Sequence, residues 1–202
     1  MTKIIENIIP FKRKQKLFDQ LIFTPGIWIN GKTYWIKNKN EIFLISEGIS
    51  VKVLQKSKHS KVNYFDIFVT NHSKQDKQVK LLMMYHHYNQ RKEQVSFISP
   101  VENVIYHISG GMVYLVNGMY NGNGFNHYTI QPKWNISSNI FWECPKKGKL
   151  NYLPMLKGSI ASIYTFDMNI SARDVQKCSS WSILGNNKYE ISELNNRLLK
   201  TY

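Results

Sequence analysis

The chain has 202 residues, 43% hydrophobic and 13% aromatic, enough for one domain with a sizeable core and unlike a disordered chain. Its 27 basic and 13 acidic residues leave a formal charge of +14, which suggests a polyanion partner such as nucleic acid. The lysines are scattered, however, and read as a solvated surface with one true basic cluster, "FKRKQK" (Phe11 to Lys16).

The chain opens on "MTKIIENIIPFKRKQK". Its apolar part is too short for a signal peptide, and the charge follows it instead of preceding it. A short helix is expected after Pro10. No run approaches the roughly 20 apolar residues of a membrane span, so a cytoplasmic location and no membrane contact are expected.

From there the sequence reads as strands and turns. "GIWING" and "KTYWIK" are β-prone runs split by Asn30-Gly31, the strongest short hairpin signal. "EIFLIS" and "GISVKVLQ" meet at Glu47-Gly48. Two longer runs within "VNYFDIFVTNHSKQDKQVKLLMMYHHY" (Val62 to Tyr88) flank a polar turn. "NVIYHIS" and "MVYLVNGMY" flank Gly110-Gly111, and "YNGNGFNHYTI" reads as a loop entering a strand. "PKKGKLNYLP" has the composition of a linker, and "GSIASIYTFDMNIS" is a long β-prone run. Turn signals recur roughly every ten residues, the spacing of a sandwich or barrel. Only "KYEISELNNRLLKTY" is a good helix, with Ile191, Leu194, Leu198 and Leu199 on one face.

The pair His86-His87 invites a metal or catalytic reading. Strand alternation puts Val79, Leu81, Met83, Tyr85 and His87 on one face and Leu82, Met84 and His86 on the other. The histidines therefore diverge, and two apolar faces indicate a strand covered on both sides; both histidines read as structural.

Other chemistry is sparse. GxSxG, HExxH and GxxxxGK[ST] patterns are absent, and "NGNG" is too weak for a phosphate loop. Cys144 and Cys178 have no CxxC partner, cannot form a structural zinc site, and read as reduced thiols. The acids Asp66, Asp76, Asp167, Glu190 and Glu193 sit singly, without the paired carboxylates of sugar cleavage. No catalytic residue, metal or cofactor is assigned. Aromatics are the rich category. Most belong to the core, but exposed rings stack on sugars or bases, and Tyr120, Phe125, Tyr128 and Trp134 are the candidate carbohydrate contacts.

Several segments, taken in order, carry a resemblance: "GIWINGKTYW", "FDIFVTNHSKQDKQVKLLMMYHH", "SPVENVIYHISGGMVYLVNG", "GFNHYTI", "FWECPKKGKLNYLPMLKGSIAS" and "WSILGNNKYEISELN". Over about residues 25–196 they resemble the N-terminal domain of bacterial and archaeal glucoamylase-like enzymes, glycoside hydrolase family fifteen. The resemblance implies an all-β fold: a two-sheet β-supersandwich, galactose-mutarotase-like, with a short C-terminal helix. In that family an (α/α)6 barrel follows and carries the two catalytic glutamates, to which nothing in this chain corresponds. The chain also departs from the pattern. "ECPKKG" stands where the family has an acidic stretch, Ala161 stands in its "GSVDS" segment, and Tyr88 replaces an aspartate.

The expected organisation is a basic segment over 1–24, a sandwich over 25–186 and a helix over 187–202. The expected function is a non-catalytic carbohydrate-associated domain that scaffolds a separately encoded barrel or binds glucan or oligosaccharide weakly. One alternative is a mutarotase-like sugar enzyme using His107 or His127 with an acid such as Asp66. The other is a basic module for nucleic acid or another polyanion.

Overall fold

Asn30 and Gly31 have φ of 51° and 80°, the left-handed pair required by a tight two-residue hairpin turn. They join β1 (Leu21–Ile29) to β2 (Lys32–Trp35) in antiparallel register, with Gly26 opposite Trp35. A Cβ at Gly26 would lie 2.6 Å from the Trp35 ring, so the hairpin needs glycine there. The computed structural model that shows this describes residues 21–88 and 93–201. The helix expected after Pro10 lies outside the described residues. β1 begins inside the stretch 1–24 that the sequence suggested as an N-terminal segment.

The chain continues through β3 (Glu41–Leu44), β4 (Ile49–His59), β5 (Val62–Asn71), β6 (Lys77–His87), β7 (Gln94–Ser99), β8 (Val104–Ser109), β9 (Met112–Met119) and β10 (His127–Pro132). A short helix, α1 (Lys133–Ser137), precedes the small strands β11 (Trp142–Cys144), β12 (Lys149–Leu150) and β13 (Met155–Lys157). The long strands β14 (Ile160–Ile170) and β15 (Val175–Gly185) lead to α2 (Lys188–Leu199). The fold is an all-β sandwich. A five-stranded antiparallel sheet, β10-β14-β6-β1-β2, faces an eight-stranded one, β13-β7-β8-β9-β15-β5-β4-β3, and β11-β12 form a separate ribbon.

Three apolar layers hold the sandwich together. Between the sheets lie Ile27, Leu81, Met83, Tyr85, Tyr164 and Phe166 from one side and Ile67, Val69, Ile105 and Val116 from the other. Full burial of such side chains stabilises by roughly 1.5–3 kcal/mol each. α2 covers the outer face of the eight-stranded sheet, where Ile191 and Leu198 pack with Tyr64, Trp181, Ile183 and Leu115. Its N-terminus is capped by Asn187, whose side chain accepts the Tyr189 backbone N–H at 2.9 Å. Segment 133–150 covers the outer face of the five-stranded sheet through Ile136, Phe141, Trp142 and Leu150, against Leu82, Met84, Ala161 and Ile163. β6 is thus covered on both faces, as its sequence implies.

"PKKGKLNYLP" is not a linker. Its Leu153 carbonyl accepts the Ile130 N–H at 2.8 Å and its Pro154 carbonyl accepts the Ile98 N–H at 2.9 Å. These two adjacent residues therefore tie β10 of one sheet to β7 of the other. Among the described residues no helix is long and apolar enough to cross a membrane.

Candidate functional site

The four aromatic candidates separate into two groups. Tyr120 directly follows β9, packs its ring 6.1 Å from Phe166 and donates to the Gln176 side chain at 3.4 Å. Phe125 is buried and packs its ring 4.6 Å from that of Tyr164, so it belongs to the core and is not an exposed stacking surface. Its place on a Gly/Asn-rich loop suggested exposure, but the loop folds its one apolar ring inward. Tyr128 is half-buried between Phe125 at 5.4 Å and Tyr152 at 6.1 Å. Tyr152, which the sequence reading passed over inside its supposed linker, is 57% exposed.

Trp134 stands apart. Tyr128 lies near the start of β10 and Trp134 beyond its end, and the four-residue run between Tyr128 and Pro132 alone spans roughly 13 Å. Trp134 is 65% exposed on α1 and borders an open cavity of about 320 Å³ with Lys133, Ser137 and Ser159. The helix that carries it is fixed. Ile136 is buried under it, the Lys133 backbone N–H bonds the Ser159 carbonyl at 3.0 Å, and Asn135 donates to Gln131 at 2.9 Å. Ser137 follows Lys133 by four positions and Trp134 by three, which places its hydroxyl on the helix face that both share. This arrangement can hold a flat ring against the indole and offer hydroxyls and an ammonium at its rim.

The surroundings of Lys133 are unusual. Its side chain is half-buried, and desolvation pulls its ammonium below the ordinary lysine value. Among the described residues no carboxylate pairs with it. It also lies near His86, whose imidazole is pushed down to about 4, first by burial and then by the Lys133 charge. His86 Nδ1 is buried without a hydrogen-bond partner.

A second open cavity, of about 340 Å³, lies between the β1–β2 turn and Asn139, Trp142 and Pro145. Its Trp142 is locked in the core and donates its indole N–H to Thr33 at 3.0 Å.

The histidine and acid pairings of the enzyme alternative do not assemble. His107 is fully buried in the inter-sheet layer, with Nδ1 bonded to Ser96 and Nε2 to Ser162, both at 2.7 Å. Asp66 shares the opposite face of the eight-stranded sheet with Tyr64 and bonds Ser179 at 2.6 Å and Lys56 and Lys177. Burial alone would raise the Asp66 carboxyl, but the hydrogen bonds from Lys56, Ser179 and Lys177 outweigh it and hold the group below its ordinary value. His127 sits on the other sheet, 3.7 Å from Asp167, which Lys80 already engages through both oxygens at 2.8 Å.

His86 and His87 do point to opposite faces of β6. His87 lies in the inter-sheet layer beside His107 and Tyr114, with ring centroids 5.6 and 5.1 Å away. Cys144 and Cys178 are free thiols, and burial pushes that of Cys178 well up. Among the described residues no group of three His, Cys, Asp or Glu side chains could hold a metal ion.

Compared with known proteins, the sequence matches no family model and no curated protein.

Proposed function

We propose that this chain is a non-catalytic, carbohydrate-associated sandwich that holds a glucan or oligosaccharide weakly by stacking a sugar ring on Trp134. The carrying observation is that indole, 65% exposed beside an open cavity on a helix pinned by its neighbours. A large ring left in water on a rigid support is the usual device for gripping the apolar face of a pyranose. The ordered segments that resemble glucoamylase-type N-terminal domains support the carbohydrate class and the mutarotase-like variant of the sandwich. They also suggest a second role, docking a separately encoded (α/α)6 barrel in the cytoplasm.

The test is a titration of the protein with maltoheptaose and soluble starch, followed by tryptophan fluorescence. A saturable change that Trp134→Ala abolishes, with the fold intact by circular dichroism, supports the reading. No saturable change with any neutral glucan removes it. The charge of +14 favours a second reading, polyanion binding. That mode would weaken steeply with added salt, whereas stacking on a neutral sugar would not.

A further inference from the structure

We infer that the cavity beside Trp134 is selective for a sugar carrying an anionic group, a carboxylate or a phosphate, held by the Lys133 ammonium while the ring stacks on the indole. The inference rests on the carbohydrate reading and names the chemical class of its ligand.

Lys133 and Trp134 are consecutive residues that line one cavity, because the chain enters α1 there and Ser159 closes the other wall. The Lys133 stem is half-buried, so its charge is held close to the cavity instead of ranging through solvent. Several other lysines find acids: Lys56 and Lys177 share Asp66, Lys80 takes Asp167, and Lys149 takes Glu143. No carboxylate of the described residues does this for Lys133. Among the described residues, the titratable group that feels its charge is His86, another base, with a buried Nδ1 that lacks a partner. A partly desolvated cation with no internal counter-ion is costly unless an anion arrives from outside. The hydroxyls of Ser137 and Ser159 supply further donors for the oxygens of such a group. A neutral glucan would leave the ammonium uncompensated, while a uronate or a sugar phosphate would form a charge-assisted hydrogen bond of the stronger kind.

The experiment uses three probes that differ in one substituent: maltotriose, maltotriose oxidised to a uronate at its non-reducing C6, and maltotriose 6-phosphate at the same carbon. Each is titrated into the full chain by calorimetry, alongside inorganic phosphate. The expected result is that one or both anionic probes bind about tenfold tighter than maltotriose, a gain typical of one charged hydrogen bond. Lys133→Gln should erase that gain, so that this variant binds its anionic probes no tighter than it binds maltotriose, while Lys133→Arg retains most of it. The better of the two anionic probes identifies carboxylate or phosphate as the natural group.

Equal binding of all three probes overturns the inference and leaves the neutral-glucan reading standing. A gain that survives Lys133→Gln also overturns it, by placing the charge recognition elsewhere. A gain lost in Lys133→Gln but kept in Trp134→Ala upholds anion selectivity and removes the stacking reading. Inorganic phosphate binding as tightly as the sugar phosphate overturns sugar selectivity. Binding by no probe overturns both proposals.

Discussion

His107 is sealed in the core between two serines: Ser96 Oγ lies 2.7 Å from Nδ1 and Ser162 Oγ lies 2.7 Å from Nε2. A neutral imidazole suits this site, since one nitrogen donates and the other accepts. A protonated ring has two donors, so the serine that had donated to it must turn to accept and find another partner for its own proton in the core. Burial, and then the neighbouring histidines, hold the group well below its ordinary value of 6.5. His86, on the outer face of the five-stranded sheet, is held near 4.

Acid should therefore unfold the protein through these histidines. Both have depressed values in the folded state, so the unfolded chain binds protons that the folded chain refuses. Stability is full above pH 6.5 and falls as pH drops from there through about 4. His86 alone removes about 2 kcal/mol by pH 5, and His107 adds to it. Urea unfolding at pH 7.5 and 5.0 measures the loss, and His86→Gln should shrink the difference between the two. Equal stability at both values would show that neither histidine is held neutral by the fold.

A relay of hydroxyls crosses the inter-sheet layer with its direction fixed. Tyr164 donates to the Asn117 carbonyl at 2.9 Å, so its one proton is spoken for and it must accept from Ser180 at 2.6 Å. Ser180 must then accept from Tyr85 at 2.5 Å. Tyr85→Phe removes only the first donor and should cost about 1 kcal/mol, whereas Ser180→Ala strands the Tyr85 hydroxyl in the core and should cost about 2–3 kcal/mol. Denaturant midpoints of the two variants check the order. A larger loss in Tyr85→Phe would mean that the protons run the other way.

Two tryptophans should respond oppositely to truncation. Trp134→Ala removes an exposed ring and should change stability by less than about 0.5 kcal/mol. Trp142→Ala empties part of the layer that covers the five-stranded sheet and strands Thr33, and should cost about 3–5 kcal/mol. Thermal unfolding of both variants suffices. A stability loss in Trp134→Ala would disqualify it as a clean probe of binding.

Gly118 is a position where no other residue fits. A Cβ there would lie 2.5 Å from the Tyr164 hydroxyl and 2.7 Å from the Ser179 carbonyl. Gly118→Ala should therefore cost about 1–3 kcal/mol by forcing the relay apart, read as a lowered midpoint in urea. An unchanged midpoint would mean that the two sheets separate there without cost.

Local signals were the legible part of this sequence. Asn30-Gly31 and Gly110-Gly111 mark hairpins because left-handed turns need those residues, and all four have positive φ. The face of α2 was readable because Ile191 and Leu198 repeat at helical spacing. β15 was missed because "CSSWS" looks polar. Its serines are buried because Ser179 bonds Asp66 and Ser180 joins the tyrosine relay, partners distant in sequence. α1 was missed because it is one short turn and its N-cap position, Pro132, makes no side-chain cap bond. Trp134 was recognisable as a large ring, but its exposure, and the burial of Phe125, depend on which loop folds over which sheet.

The strap formed by Leu153 and Pro154 has a consequence for kinetics. With one carbonyl bound to each sheet, that flank of the sandwich cannot open without breaking two backbone hydrogen bonds. On the reading proposed above, a ligand would meet a preformed surface and wait for no rearrangement, so it would arrive quickly. Held by one indole and one ammonium, it would also leave quickly. Such a surface would retain a long chain of repeating units far better than a single unit, because a polymer that slips from one copy of the protein would still be held by the next copy along its length.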